Sequence, residues 1–277
     1  MLLQYSLRSD NDHVNDSDMS SVEVSYTIEG KGDPLYMVHG IGSRRITWNA
    51  LIKELKHQFT CVSFDLRGHG ESPVPPVPYS LDELVEDLES LRTHLGHESI
   101  HIIGHSLGGQ VGPAYAHTYP QRILTLTLLS TVAGRTPEDS AKVKKVVSTI
   151  RKNGVESVLK NLIERWYTDD FISDYPEAVN MRIQQIIETP LEVFLSVFDI
   201  YSSTEMLPWL KHITCPCLVM TGEFDPGCNP RLNQLIVDAL PNAELVILDN
   251  LKHSILVEAP DKVLPPLRDF LYNYQKF

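Results

Sequence analysis

Short, largely apolar runs recur along the chain and indicate its architecture. They lie at 35–38, 61–64, 100–103, 123–129, 217–220 and 245–248. A strand with one solvent-facing side alternates apolar and polar residues, whereas a strand covered on both faces is apolar throughout. We therefore expect six buried strands in a sheet that is packed on both faces.

Helical patterns fall between these runs. Ser80 and Glu83 have the spacing of a capping box ahead of a leucine-rich stripe, and Asn229 followed by Pro230 is typical of a helix start. Strand and helix thus alternate, and such crossovers pack helices on both faces of a parallel sheet. The predicted fold class is α/β, with a doubly wound sheet.

The alternation stops between about 134 and 210. Four helical patterns follow one another there, at 143–150, 155–162, 178–187 and 191–201, without an intervening strand. We predict an α/β core over 22–134 and 211–277 and a helical cap over 135–210. Because the insertion leaves the sheet at its carboxyl edge, where α/β folds bind ligands, it is expected to act as a lid.

The beginning of the chain has two distinct parts. Residues 22–28 alternate as an exposed strand does, and the turn-forming residues at 30–34 imply a hairpin-like entry. Residues 1–21 are rich in Asp, Asn and Ser and predict a disordered tail. This tail lacks the basic and apolar regions of a secretory signal, and Met19 is an alternative start to Met1.

Charge and composition exclude several classes of partner. The 277 residues carry a formal net charge of -12, with 42% hydrophobic and 22% charged residues. An acidic surface repels nucleic acid and anionic lipid, so neither is expected as a main partner. No apolar run is long enough to span a membrane. These features predict a cytoplasmic monomer or homodimer that acts on a small molecule.

The four cysteines, at 61, 215, 217 and 228, lack the spacing of a metal site and the density of a disulfide-stapled domain. They are expected to be reduced. Cys215 and Cys217 open an apolar strand, which favours burial over metal binding. Histidines 94, 97, 101 and 105 are spread over a helix end, a turn and a strand. We expect neither a metal nor a cofactor.

The strongest chemical motif is a G-x-S-x-G directly after the run at 100–103 and directly before a helical pattern. It contains Gly104, Ser106 and Gly108. A strand-to-helix turn of this kind strains the backbone of the serine and leaves no room for side chains two positions away. Ser106 is therefore the candidate nucleophile.

A serine hydroxyl needs a base within hydrogen-bond reach, and the base needs an orienting group. Asp225 follows the run at 217–220, and His253 follows the run at 245–248. The order Ser106, Asp225, His253 at successive strand ends suits a catalytic triad. Glu223 and Asp249 are rival carboxylates, but Asp249 precedes the histidine too closely to reach its far nitrogen.

Acyl transfer also requires donors for the oxygen on which negative charge develops, and each such donor contributes about 3 kcal/mol. The N–H of Leu107, directly after Ser106, is one candidate. The other is the N–H of Ile41, in the glycine-containing loop after the run at 35–38.

These motifs together resemble the α/β-hydrolase superfamily from about residue 22 to the end. The resemblance rests on His39-Gly40, on the stretch Asp65-Leu66-Arg67-Gly68-His69-Gly70-Glu71-Ser72, on Ser106, on the turn at 222–225 and on His253. It implies a mostly parallel eight-stranded sheet, a helical cap and a Ser, His, Asp triad.

The resemblance also narrows the reaction. Haloalkane dehalogenases and epoxide hydrolases of the superfamily use an aspartate where Ser106 stands. The small esterases, enol-lactonases and carbon-carbon bond hydrolases are more similar. The last group usually has Gly-Pro-Gly after His-Gly, where this chain has Ile41-Gly42-Ser43. We therefore expect ester or lactone cleavage; carbon-carbon or amide hydrolysis, or a ligand-sensing receptor with little turnover, are the alternatives.

Candidate pocket residues come from the predicted cap and from the oxyanion loop. The aromatic residues of the predicted cap would line an apolar pocket or pack in its core; they are Trp166, Tyr167, Phe194, Phe198 and Tyr201. Arg44 is placed to clamp a substrate carboxylate, and a solvated charge is the alternative.

Overall fold

A single mixed sheet forms the centre of the protein. The computed structural model describes residues 23–275. Within them, seven strands lie in the order β1-β3-β2-β4-β5-β6-β7. All pairs are parallel except β1 with β3. The strands are β1 (Tyr26–Gly30), β2 (Asp33–Val38), β3 (Phe59–Phe64), β4 (Ile100–His105), β5 (Ile123–Leu129), β6 (Cys217–Gly222) and β7 (Ala243–Leu248).

The sheet differs from expectation at both edges. A strand forms at each of the six predicted runs, but the expectation of burial on both faces was wrong for β7, which lies at the edge of the sheet with Glu244 and Ile247 exposed. An eighth strand is not among the described residues, and the tail predicted over 1–21 lies outside them. The predicted hairpin was wrong, because β1 pairs antiparallel with β3, where Tyr26 lies opposite Phe64. Both edges of β2 are already occupied by the parallel strands β3 and β4, so β1 cannot pair with it.

The central strands are buried on both faces. Successive residues of β2 enter different hydrophobic clusters: Leu35 and Met37 pack on one face, and Tyr36 and Val38 on the other. All four are fully buried. Because side chains alternate between the faces of a strand, only a continuous apolar run satisfies both layers.

Helices form the two layers. The face with Leu35 is covered by α1, α11 and α12, and the other by α2, α3 and α10. The capping box of Ser80 and Glu83 is confirmed at the start of α2. None of the helices described is both long and apolar enough to cross a membrane. These helices are α1 (Asn49–Leu55), α2 (Leu81–His94), α3 (Gly108–Thr118), α10 (Pro230–Ala239), α11 (Ile255–Glu258) and α12 (Pro260–Tyr272).

The chain between β5 and β6 forms helices joined by loops, with no strand among these residues, which agrees with the four patterns read from the sequence. Two short helices, α6 and α9, add to them, and the division into core and cap stays a prediction. The six helices are α4 (Pro137–Asn153), α5 (Leu159–Trp166), α6 (Asp169–Asp174), α7 (Pro176–Glu188), α8 (Leu191–Ser203) and α9 (Leu207–Leu210).

Candidate active site

Ser106 lies in a sharp turn between β4 and α3. Its φ is +56°, in the left-handed region that side chains other than glycine rarely adopt. A Cβ added to Gly104 would lie 2.0 Å from the carbonyl oxygen of Gly108, and one added to Gly108 would lie 2.0 Å from that of Val38. The turn is therefore possible only with glycine at both positions.

Hydrogen bonds from β5 and the residues after it hold this strained turn. The N–H of Ser106 donates to the carbonyl of Leu129 at 2.9 Å, and the hydroxyl of Thr131 donates to the carbonyl of Ser106 at 2.9 Å. Strained backbone persists where its surroundings over-determine it. Ser106 is thus fixed with its side chain at the carboxyl edge of the sheet.

Asp225 and His253 form a buried pair at the same edge. The Nδ1 atom of His253 lies 2.7 Å from Oδ2 of Asp225. The other carboxylate oxygen, Oδ1, accepts hydrogen bonds from the N–H groups of Gly227 at 2.9 Å and Cys228 at 2.8 Å. Every oxygen of this buried carboxylate therefore has a partner, and its rotamer is determined from both sides.

The two pKa values of the pair move in opposite directions. Burial alone would raise the pKa of the Asp225 carboxyl, but His253 and the two N–H donors lower it below its usual range. Burial alone would lower the pKa of His253, but the charge and hydrogen bond of Asp225 raise it. The arrangement favours a carboxylate that stabilises a positively charged imidazole, as a proton-accepting base requires.

The rival carboxylates lie elsewhere. Glu223 is exposed and accepts a hydrogen bond from the N–H of Asn250 at 3.0 Å. Asp249 is exposed as well. Of the three carboxylates considered from the sequence, Asp225 is the one that contacts His253.

Ser106 and His253 line the same cavity, together with Asp225. Among the hydrogen bonds of residues 23–275, none joins the Ser106 hydroxyl to His253. Such bonds are often long in ligand-free enzymes and shorten when substrate binds. Trp166 stacks on the His253 ring with 6.4 Å between ring centroids, and His105 Nε2 lies 3.1 Å from the His253 carbonyl oxygen.

Two backbone N–H groups next to Ser106 remain available. Those of Ile41 and Leu107 donate to no protein acceptor in the described part of the chain, although both residues are buried. Buried N–H groups are almost always paired, so these two N–H groups beside Ser106 are available to an acceptor atom of a ligand.

Two buried histidines explain the His-Gly and Arg-Gly-His-Gly motifs. His39 accepts a hydrogen bond from the N–H of Leu66 at 3.0 Å, and His69 accepts one from the N–H of Gly42 at 3.1 Å. The other ring nitrogen of each lies near a backbone carbonyl. Burial lowers the pKa of both to about 3, so both rings are neutral and hold the loop that contains Ile41.

Arg182, from α7, contacts the same loop. Its guanidinium donates to the carbonyl of Ile41 at 2.7 Å and to that of Gly42. It also lies 4.8 Å from the centre of the Trp166 ring. A residue of the helical insertion that the sequence did not indicate therefore links the loop that contains Ile41 to the aromatic ring beside His253.

The cavity has a volume of about 430 Å³, within the usual range for a small-molecule site. Of the five aromatic residues considered for the pocket, four line it: Trp166, Tyr167, Phe198 and Tyr201. Phe194 does not, and this expectation was wrong. Its ring packs against Gly42, where an added Cβ would lie 2.8 Å from a Phe194 ring carbon. Phe194 thus supports the loop that contains Ile41 and Gly42 from outside the cavity.

The expected role of Arg44 was also wrong, because its guanidinium points to the end of α7. It donates to the carbonyl of Gln185 at 3.0 Å and to the hydroxyl of Thr189 at 3.1 Å. The last carbonyls of a helix have no partner within it and attract cations. Three other cations, Lys142, Arg165 and Arg182, line the cavity instead. They lie on helices that carry both polar and apolar residues. On such a helix the sequence alone does not show which way a charged side chain points.

One group of possible metal donors lies within residues 23–275. Donor atoms of Asp225, Cys228 and His253 lie within 4.8 Å of one another. A metal ion there would displace His253 or the two N–H groups from the carboxylate of Asp225. The donor set is therefore better suited to a proton relay, and the absence of a metal and of a cofactor stays a prediction.

A family profile described as alpha/beta hydrolase fold matches residues 33–260. The chain belongs to this family. The prediction of an α/β-hydrolase fold is thereby confirmed, and the match includes Ser106, Asp225 and His253 as well as the whole helical insertion.

Similar members of the family are hydrolases. The chain is 27% identical to a 3-oxoadipate enol-lactonase of Acinetobacter baylyi over 243 residues, which cover 86% of this chain and 89% of that protein. A solved esterase from Thermogutta terrifontis superposes with a TM-score of 0.84 at 28% identity, over 92% of this chain and 95% of that one. An enol-lactonase from Burkholderia xenovorans gives 0.84 at 25% identity, over 91% and 97%. These relatives support hydrolytic activity for this α/β hydrolase.

Proposed function

We propose that this protein hydrolyses a small carboxylic ester or lactone through an acyl-enzyme on Ser106. The observation that carries the proposal is the meeting, in one cavity, of a strained serine and a histidine bound to a buried carboxylate, with two N–H groups in the adjoining turns that donate to no protein acceptor among the described residues. The relatives named above as an esterase and as enol-lactonases favour ester and lactone bonds.

In the first step, the Ser106 oxygen attacks the substrate carbonyl while His253 Nε2 takes the hydroxyl proton. Asp225 keeps the proton of His253 on Nδ1 and stabilises the imidazolium. The negative charge that forms on the carbonyl oxygen is met by the N–H groups of Ile41 and Leu107. Each such donor is worth about 3 kcal/mol in the transition state.

Acylation is complete when His253 has given its proton to the leaving oxygen and an acyl group remains on Ser106. A water molecule then attacks the acyl carbon while His253 takes its proton. The same two N–H groups stabilise the second tetrahedral intermediate. Collapse of this intermediate releases the acid and returns the proton to Ser106.

The test is an activity screen over para-nitrophenyl esters, lactones, anilides and vinylogous diketones with the full chain. We expect esters or lactones to be turned over many times, and Ser106→Ala to abolish the reaction while keeping the fold. Mass spectrometry of a rapidly quenched reaction should find an acyl adduct on the peptide that contains Ser106.

Other outcomes would replace the proposal. Faster cleavage of diketones or anilides than of any ester would assign the same residues to carbon-carbon or amide hydrolysis. Release of a single product equivalent per chain, followed by no further turnover, would favour a ligand-sensing receptor.

A further inference from the structure

The cavity has the opposite charge balance to the protein as a whole. The chain carries a formal net charge of -12. The described cavity lining nevertheless contains the cations Lys142, Arg165 and Arg182, and its one acidic side chain is Asp225. That carboxylate is bound to His253 and to two N–H groups. Such a cluster in a low-dielectric wall concentrates positive potential at the site.

These cations have no carboxylate partner within residues 23–275. On the same helices, Arg151 on α4 pairs with Asp199 at 2.7 Å and Lys160 on α5 lies 3.8 Å from Glu164. The exposed Lys144, Lys145 and Lys152 of α4 have no carboxylate partner in the described part of the chain either. What distinguishes Lys142, Arg165 and Arg182 is therefore their position in the cavity lining.

The three cations are not equivalent. Arg182 donates to the carbonyls of Ile41 and Gly42. Its positive charge therefore contributes to the cavity, but these donors are occupied by the protein. Arg165 is half-buried, and its Nη2 atom lies 3.4 Å from where a Cβ would stand on Gly227. Because Gly227 donates to Asp225, this guanidinium lies beside the triad acid with its own donors unused.

We infer that the substrate is an ester or lactone that also carries a carboxylate, and that Arg165, assisted by Lys142, binds this carboxylate while the scissile carbonyl lies at Ser106. The inference rests on the proposed function and names its substrate class. A guanidinium with free donors suits a carboxylate, because two parallel N–H bonds match its two oxygens. Arg165 is thus a specificity-determining residue.

The test compares two substrates of equal length. Para-nitrophenyl hydrogen adipate carries a terminal carboxylate, and para-nitrophenyl 6-methylheptanoate has an isopropyl group in its place. We expect wild-type kcat/KM to be roughly tenfold or more higher for the adipate, and Arg165→Gln to lower this ratio by about 10- to 100-fold, as loss of a charged hydrogen bond does. Lys142→Gln should lower it less, because Lys142 is exposed.

Lys160→Gln is the matched control, since Lys160 lies on the same helix as Arg165 outside the cavity lining. It should leave kcat/KM for both esters unchanged. Arg165→Lys should retain part of the preference, which separates lost charge from a damaged fold. Raised salt should weaken the preference for the adipate, since it screens the attraction.

A wild-type enzyme that prefers the isopropyl ester would overturn the inference, as would an unchanged ratio in both Arg165→Gln and Lys142→Gln. Failure of the proposed function is distinguishable. If Ser106→Ala hydrolyses the isopropyl ester as fast as wild type, the nucleophile is wrong; if only the carboxylate preference is missing, the hydrolase stands and the substrate class falls.

Discussion

Replacement of Asp225 by asparagine tests whether Asp225 determines which nitrogen of His253 carries the proton. Oδ1 of Asp225 accepts two backbone N–H groups, and Oδ2 faces Nδ1 of His253. An asparagine must keep its oxygen on the side of the two N–H donors, because an NH₂ group there would leave donors facing donors. Its NH₂ then faces Nδ1, which can only accept.

The asparagine therefore holds His253 in a tautomer that cannot act as the base. With Nδ1 acting as an acceptor, His253 carries its proton on Nε2 and cannot take the proton of Ser106. The charge that stabilises the imidazolium is lost as well. In serine hydrolases such a change costs about 10⁴ in kcat. We expect a loss of about 10³–10⁴ in kcat/KM, which corresponds to about 4–5 kcal/mol at 1.36 kcal/mol per factor of ten.

The assay is steady-state hydrolysis of a neutral para-nitrophenyl ester, with thermal unfolding to verify the fold and nitrogen NMR of the imidazole to assign its tautomer. Glu223→Gln and Asp249→Asn are matched controls, because both carboxylates are exposed and lie close in sequence to Asp225 or His253. Near-normal turnover in Asp225→Asn, or loss of activity in either control, would refute the reasoning.

Three further changes probe other parts of the site. Because Asp225 raises the pKa of His253, kcat/KM for a neutral ester should rise with pH and reach half of its plateau above the ordinary histidine value of 6.5. The midpoint of this pH profile should be lower in Asp225→Asn. A wild-type midpoint at or below 6.5 would contradict the shift. Gly108→Ala should lower the free energy of unfolding in urea by about 2–4 kcal/mol, because its methyl group meets a strand carbonyl. Gly96→Ala, whose methyl group meets nothing within 4 Å, should cost only about 1 kcal/mol for its positive φ, so equal losses would count against the steric argument. Arg182→Gln should lower kcat for the neutral ester about tenfold with less change in KM, and Arg182→Lys should retain more activity; a change confined to KM would mean that Arg182 does not position the oxyanion loop.

Local patterns in the sequence were sufficient to predict the positions of the strands, the helix starts and the turn at Ser106. The strands at the six apolar runs were predicted because burial on both faces demands a continuous apolar run, which is visible without knowledge of neighbours. The pattern did not show that β7, where Ile247 is exposed, lies at the edge of the sheet. The turn at Ser106 was predicted because its strain and its close packing restrict the allowed residues within five positions. These signals are short-range, and they need no information on how distant segments pack.

Only the tertiary structure decided which distant side chains meet. It paired β1 with β3 rather than β2, placed Asp225, already preferred from the sequence, in contact with His253, and turned Arg44 toward α7. It also brought Arg165 and Arg182 to the cavity wall. The direction of a charged residue on a helix depends on the rotation of that helix against the sheet. That rotation is determined by the packing of apolar side chains far apart in the chain, which local periodicity does not encode.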